Sequence, residues 1–176
     1  LKPAGPATVV QEGPESISVQ CVYTWGRSTF RLLTTLHADT PRIDCKLHVE
    51  WLERGGGDQA GPMLRAHWSV AGNPRKLRCD VPFAVVDRKA GHEVPAQKWV
   101  DVAAPGGGLA ILNRGQYGHS LEGGVVRMTL LRSAYDPDIL PDVGIHDIEW
   151  AILPHAGDAF DADLPRLGMS YNVPPE

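Results

Sequence analysis

The chain has 176 residues, of which 43% are hydrophobic and 22% are charged, and its formal net charge at pH 7 is −4. This composition is typical of a globular domain that buries a sizeable core, and it excludes an intrinsically disordered chain. The negative charge argues against a nucleic-acid partner, and the sequence contains no apolar run of the roughly 20 residues that span a membrane.

Alternation of apolar and polar residues dominates the chain and predicts half-buried strands. In the clearest run, Ile43, Cys45 and Leu47 share one face while Asp44 and Lys46 share the other. The predicted strands are, in chain order, 17–25, 30–36, 43–51, 64–70, 77–81, 94–102, 109–112, 125–131 and 148–152. Glycine-containing turns separate these runs, and no window of ten or more residues shows a clean helical period. The pattern therefore predicts an all-β fold, a large antiparallel β-sandwich.

Two segments, 133–144 and 154–168, lack this alternation, and we expect long loops there. We expect a single domain over 1–176, with residues 1–15 as a possible leader from whatever precedes it. The chain begins without Met, which fits a piece excised from a longer protein.

The three cysteines, Cys21, Cys45 and Cys79, are an odd number and contain no C-x-x-C pair. Each lies among alternating apolar neighbours, which predicts buried free thiols and neither a disulfide framework nor a zinc knuckle. Reduced thiols are typical of cytoplasmic proteins, so we expect a cytoplasmic location.

The side chains that could catalyse a reaction or bind a metal are scattered. The seven histidines form no H-E-x-x-H cluster, and no nucleophile-elbow or P-loop motif is present. We therefore predict no metal site, no cofactor and no catalytic residues within this chain, and we expect the isolated chain to hydrolyse nothing.

One loop concentrates polar side chains between two alternating runs. It holds Asn113, Arg114, Tyr117, Gly118 and His119, with glycines as hinges. Two interpretations stay open: these residues border a carbohydrate site or a cleft, or Asn113 caps a turn and Tyr117 packs beneath it.

Several phrases in the second half of the chain follow one another in a fixed order. They are "VPFAVVDRKAGHEVPAQKWVDV", "GGLAILNRGQYGHSLEGGVVRMTLLRSAYDPD" and "VGIHDIEWAILPHAGD". Together they resemble the C-terminal β-domain of glycoside hydrolase family 38, the α-mannosidases. The first half is similar more loosely, through "RIDCKLHVEWLER".

The resemblance implies a β-sandwich of the galactose-mutarotase-like, supersandwich kind, and a parent enzyme that hydrolyses terminal α-mannosides with retention. In this family, zinc and the nucleophilic Asp lie in an N-terminal α/β barrel, whose motifs have no match here. The resemblance therefore implies that this chain is a C-terminal fragment. Its partners would be the catalytic domain of the same full-length chain and the α-mannoside substrate. The loop at 113–118 matches a family phrase, although Arg114 stands where an acidic residue is expected.

The resemblance leaves further interpretations open. His155 and Trp99 are candidates for the interface with the missing barrel, and a homo-oligomer through the bare docking face is left open. The chain could instead be a free-standing carbohydrate-binding module, with exposed aromatic residues. A mutarotase-like enzyme would need a His and a carboxylate converging in a cleft.

Overall fold

The structure, a computed structural model, describes residues 1–56, 61–72 and 74–173. This part of the chain forms fourteen strands and one short helix, in two antiparallel sheets, so the predicted all-β antiparallel sandwich is confirmed. In chain order the elements are β1 (Lys2–Pro3), β2 (Thr8–Glu12), β3 (Ser16–Trp25), β4 (Ser28–His37), β5 (Thr40–Trp51), β6 (Met63–Ser69), β7 (Lys76–Val81), β8 (Ala84–Lys89), β9 (Val94–Pro95), β10 (Trp99–Ala104), β11 (Gly107–Asn113), β12 (Gly118–Glu122), β13 (Val125–Arg132), β14 (Gly144–Ala156) and α1 (Leu164–Asn172).

The chain divides into two compact units. The first comprises Leu1–Leu64 and Leu130–Glu149, and its strands follow the order β1-β3-β4-β5, with the beginning of β14 beside β5. β2, which lies within the predicted leader, pairs with β3. The second unit comprises Arg65–Thr129 and Trp150–Glu176. It contains the order β14-β11-β10-β7-β8 in one sheet and β6-β13-β12-β9 in the other.

Trp51, at the end of β5, anchors the core of the first unit. Its buried indole stacks on Trp25 with 5.8 Å between ring centroids, and Phe30 meets it edge-on at 6.3 Å. Leu47 and Val49 are buried beside it, as the period-2 pattern of β5 predicts. Trp25 keeps 43% of its surface exposed, because it lies at the very end of its strand.

A hydrogen-bonded chain closes this core just after β5. The Trp51 indole Nε1 donates to Ser133 Oγ at 2.6 Å, and this hydroxyl donates to the carbonyl of Glu53 at 2.8 Å. The Glu53 carboxylate in turn accepts from the Ser28 hydroxyl at 2.9 Å and from the Arg27 amide at 2.8 Å. Ser133 is fully buried, so its hydroxyl satisfies an indole N–H that water cannot reach.

The core of the second unit is built around Trp99, whose side chain is completely buried. The helix α1 covers this core, with Leu164 and Gly168 buried and Leu167 and Tyr171 half-buried. Positions 164, 167, 168 and 171 share one helical face, so a short amphipathic helix is what these residues specify. The buried members of the cluster are Trp99, Ala110, Leu112, Ala151, Leu153, Ala159 and Leu164.

In the second unit the two sheets pack against each other. Trp68 of β6 meets Trp150 of β14 edge-on, with 6.5 Å between ring centroids. Such edge-to-face pairs are favourable because the positive rim of one ring faces the negative face of the other. Within the part of the chain that the structure describes, no helix is long and apolar enough to cross a membrane.

The structure corrects two predictions about the elements. Residues 154–168 are not one loop, because β14 continues to Ala156 and α1 begins at Leu164. The helix escaped prediction because it is only nine residues long and contains Gly168, a poor helix former. Pro165 suggests a break in the sequence, but it stands in the first turn, where proline is tolerated. The predicted strand 94–102 is two strands, β9 and β10, which belong to different sheets.

We predict that Ser133→Ala lowers the free energy of unfolding by about 1–3 kcal/mol, because the buried Trp51 N–H loses its acceptor. Urea unfolding of the purified chain measures this change. The control Ser69→Ala removes an exposed hydroxyl at the end of β6 and should change stability by less than about 0.5 kcal/mol. Equal stability of the two variants would contradict the assigned role of Ser133.

We also predict that Gly168→Ala destabilises the chain by about 1 kcal/mol. Alanine favours the helix by about 1 kcal/mol, but overpacking a core costs about 1–3 kcal/mol. The new Cβ would lie 2.5 Å from Trp99 Cδ1, and the enclosed indole has little room to retreat. Urea unfolding tests this, with Met169→Ala on the exposed face as the control. A gain in stability for Gly168→Ala would contradict the prediction, because it would show that the Trp99 indole moves to make room for the new Cβ.

Candidate functional site

The predicted polar loop is the short connection 114–117 between β11 and β12. Asn113 is the last residue of β11 and is fully buried. Gly118 and His119 are not loop residues, because they begin β12, and His119 is also fully buried. Arg114 and Tyr117 are the exposed members of the predicted set.

Asn113 and His119 join the two ends of this loop. The Asn113 side-chain amide Nδ2 lies 3.3 Å from His119 Nε2, and its Oδ1 accepts from the Gly115 amide at 3.2 Å. Burial lowers the pKa of His119 to about 4, against smaller opposing effects of the Gln116 carbonyl and Glu93. The imidazole is therefore neutral at pH 7, and Nε2 can accept the amide proton. Both side chains stabilise the loop from inside.

The C-terminal end of α1 holds the loop from the other side. Arg114 donates to the Tyr171 carbonyl from Nε at 2.9 Å and from Nη2 at 2.7 Å. Its guanidinium also lies over the Tyr171 ring, 4.9 Å from the centroid. Asn172 Nδ2 donates to the Asn113 carbonyl at 3.0 Å. A cation at the carbonyl end of a helix is favourable, so Arg114 both satisfies and neutralises the last turn of α1.

Tyr117 is presented to solvent by this arrangement. The residue is 57% exposed, while its carbonyl accepts from the Ala96 amide at 2.9 Å, which holds the backbone in place. At Gly118 a Cβ would collide with the carboxylate of Glu93, which also accepts from the Thr129 hydroxyl at 2.7 Å. The glycine therefore lets the chain turn into β12 beside that carboxylate.

The two interface candidates lie inside the second unit. Trp99 is covered by α1, and the His155 side chain is only 6% exposed. The His155 ring Nε2 lies 3.0 Å from Asp101 Oδ1. An interface role for either residue stays a prediction, and burial disfavours it because an enclosed side chain offers almost no surface to a partner.

Asp101 is a residue that sequence reasoning missed. Burial raises the pKa of its carboxyl, while the hydrogen bond from His155 acts in the opposite direction. Its strand neighbours Val100 and Val102 are both fully buried, so a single carboxylate interrupts an apolar run. That interruption was the available signal, since isolated buried acids are rare without a partner. Gly108 makes the pair possible, because a Cβ there would lie 2.6 Å from the His155 ring.

The described residues do not fit a zinc ion. Across 1–56, 61–72 and 74–173, no group of three or more His, Cys, Asp or Glu side chains is placed to hold a metal. His146, for example, has its Nε2 2.6 Å from the Asp142 carbonyl. No catalytic step through zinc can therefore be derived from these residues.

Comparisons with known proteins identify relatives along most of the chain. The family model described as "Glycosyl hydrolases family 38 C-terminal domain" matches residues 2–140. "Alpha-mannosidase G" of Dictyostelium discoideum is 27% identical over 96% of this chain and 16% of its own length. The human "Alpha-mannosidase 2C1" is 39% identical over 48% of this chain and 8% of its own length.

Solved structures agree with this similarity at the level of the fold. A glycosyl hydrolase family 38 protein from Enterococcus faecalis superposes with a TM-score of 0.81 at 13% identity, over 98% of this chain and 25% of the other. The chain thus spans about a quarter or less of the proteins that it matches. With its two-sheet architecture and a family match across residues 2–140, the chain belongs to the glycosyl hydrolase family 38 C-terminal domain family.

Proposed function

We propose that the chain acts as the non-catalytic C-terminal domain of an α-mannosidase. In this proposal it packs on a separate catalytic domain, which carries the zinc ion and binds the α-mannoside. Family membership supports the proposal, as do the relatives that are named alpha-mannosidases and are several times longer.

The main support for a role at the cleft is that neighbouring residues hold the loop of Tyr117 in a fixed position. Asn113 and His119 bury both ends of the loop, and α1 grips Arg114. A simple surface turn needs no such support, whereas binding residues are often placed on loops that a scaffold positions. The exposed Tyr117 ring combines an apolar face with a hydroxyl, which suits a sugar ring or a domain border.

The residues of the loop take different roles in this proposal. Tyr117 is the residue that faces the cleft of the intact enzyme. Arg114, Asn113 and His119 are positioning residues, because their polar atoms are engaged by α1 or by each other. Gly118 permits the close approach to Glu93.

The segment between β13 and β14, together with the first residues of β14, is the proposed docking surface for the catalytic domain. Within 135–145, four large apolar side chains are exposed, which is costly unless a partner covers them. They are Tyr135, Ile139, Leu140 and Ile145. The length of the relatives indicates the partner, since most of their polypeptide lies outside the region that this chain matches.

We also propose a cytoplasmic location. The three cysteines are free, and burial raises the pKa of Cys45 and of Cys79 to about 11 in each case. These thiols are kept protonated and shielded, which fits a reducing compartment where no disulfide is needed.

A free-standing carbohydrate-binding module is the second candidate. One observation favours it, a polar pocket in the second unit beside Asp101.

We predict that Tyr117→Ala in the full-length enzyme lowers kcat/KM for an aryl α-mannoside about tenfold, a loss of about 1.4 kcal/mol. Tyr117→Phe distinguishes the ring from the hydroxyl. The matched control is Phe83→Ala, which removes a fully exposed aromatic residue from the β7–β8 turn and should leave kcat/KM unchanged. Unchanged kinetics of Tyr117→Ala in a folded enzyme would refute a role at the cleft.

For the docking surface we predict that Ile139→Ser together with Ile145→Ser lowers the temperature at which the full-length enzyme loses activity. Each isoleucine contributes about 1.5–3 kcal/mol if it is buried against a partner. The melting temperature of the 176-residue chain alone should fall less, because both side chains are exposed there. Equal shifts in the two proteins would contradict docking. Val9→Ser with Val10→Ser on β2 is the matched control.

A further inference from the structure

A basic concavity of about 470 Å³ lies in the second unit, where β7 begins and β8 ends. Half of the residues that line it are positively charged and the others are small or apolar. In chain order they are Pro74, Arg75, Lys76, Lys89, Ala90 and Gly123. Among the residues that the structure describes, no carboxylate lines this concavity, although the chain as a whole has a net charge of −4. The local charge is therefore opposite in sign to that of the whole chain.

The positive charges of the basic concavity are not neutralised within the described part of the chain. There, Arg75 and Lys89 have no carboxylate within ion-pair distance. Lys76 Nζ lies 4.0 Å from Asp87 Oδ2, and that carboxylate is held more closely by Arg78, whose Nε donates to Oδ1 at 2.9 Å. An anionic group that enters the concavity would therefore meet three cations without displacing a closer partner.

The pairing of β7 with β8 places two of these cations directly opposite each other. Lys76 pairs with Lys89 in the antiparallel register, and like charges at opposed positions destabilise a sheet. Arg75 adds a third charge beside them, and its carbonyl accepts from the Ala90 amide at 3.0 Å, which fixes this end of the hairpin. A bound anion would replace the repulsion between the lysines by attraction to both.

The number of cations favours phosphate over a carboxylate. A phosphomonoester carries a charge of about −1.5 to −2 at pH 7 and has three acceptor oxygens. The guanidinium of Arg75 can bind two of these oxygens side by side, while each lysine supplies a compact positive charge. A phosphate group fills only part of the volume, and Pro74 and Ala90 offer apolar surface to the organic part of a ligand.

We propose that the basic concavity binds the phosphate group of a small organic phosphomonoester. Arg75, Lys76 and Lys89 bind the phosphate oxygens, and the organic part lies against Pro74 and Ala90. The inference goes beyond the proposed function and does not rest on it, since binding needs neither the catalytic domain nor an α-mannoside.

The test is a titration of the 176-residue chain with phenyl phosphate in a phosphate-free buffer of low ionic strength, followed by calorimetry and by phosphorus NMR. We expect a Kd of about 1 mM or below. Phenyl sulfate has the same shape but a single charge, and inorganic phosphate lacks the apolar part. Each should bind at least about threefold more weakly than phenyl phosphate.

Two substitutions remove charge from the basic concavity without removing side-chain length. Lys89→Gln and Arg75→Gln should each weaken the binding of phenyl phosphate at least about threefold, and the double variant should weaken it more than about tenfold. Lys2→Gln is the matched control, because it removes the same charge from an exposed position in the first unit and should leave the affinity unchanged. Thermal melting of each variant verifies that it is folded.

Four outcomes overturn the proposal. They are no binding of phenyl phosphate, equal affinity for phenyl sulfate or inorganic phosphate, wild-type affinity in the double variant, and an equal loss of affinity in Lys2→Gln. The last of these would show that phenyl phosphate responds to the overall charge of the chain and not to this site. The kinetics of Tyr117→Ala do not enter the test, so the two proposals can fail separately.

Discussion

The contact between Trp99 and Gly168 is the constraint on which the candidate site depends. Because Gly168 has no side chain, the backbone of α1 lies directly on the buried indole. This contact places the last turn of the helix, and with it the Tyr171 carbonyl and the Asn172 amide, against the loop between β11 and β12. The position of Tyr117 therefore depends on how α1 packs against Trp99, although neither is adjacent to Tyr117 in the chain.

A helix like α1 is not stable by itself. It has nine residues, includes Gly168, and follows Asp163, whose backbone is left-handed with φ 53°. Isolated helices shorter than about 12–15 residues are marginal even with good helix formers. Tertiary burial of Leu164 and its neighbours therefore provides the stability that local propensity does not. The loop between β11 and β12 therefore also depends on this tertiary burial, because α1 supports the loop from outside.

Buried polar pairs give both units their specificity. Trp51 with Ser133, Asn113 with His119 and Asp101 with His155 each place a polar group where water is excluded. The net gain from each bond is modest, but loss of one partner leaves an unsatisfied group and costs more. These pairs consequently disfavour alternative strand registers, because a shifted strand would separate the two hydrogen-bonded side chains.

The sequence by itself determined the fold class and most of the strands, because period-2 alternation directly reports which side chains face a core. It also indicated the family, through phrases that keep their order from Val81 onward. Only the tertiary structure decided that Asn113 and His119 are buried, that α1 forms, and that Asp101 meets His155 across 54 positions. These outcomes depend on contacts between residues far apart in the chain, and a local pattern contains no information about which distant surface will cover a side chain.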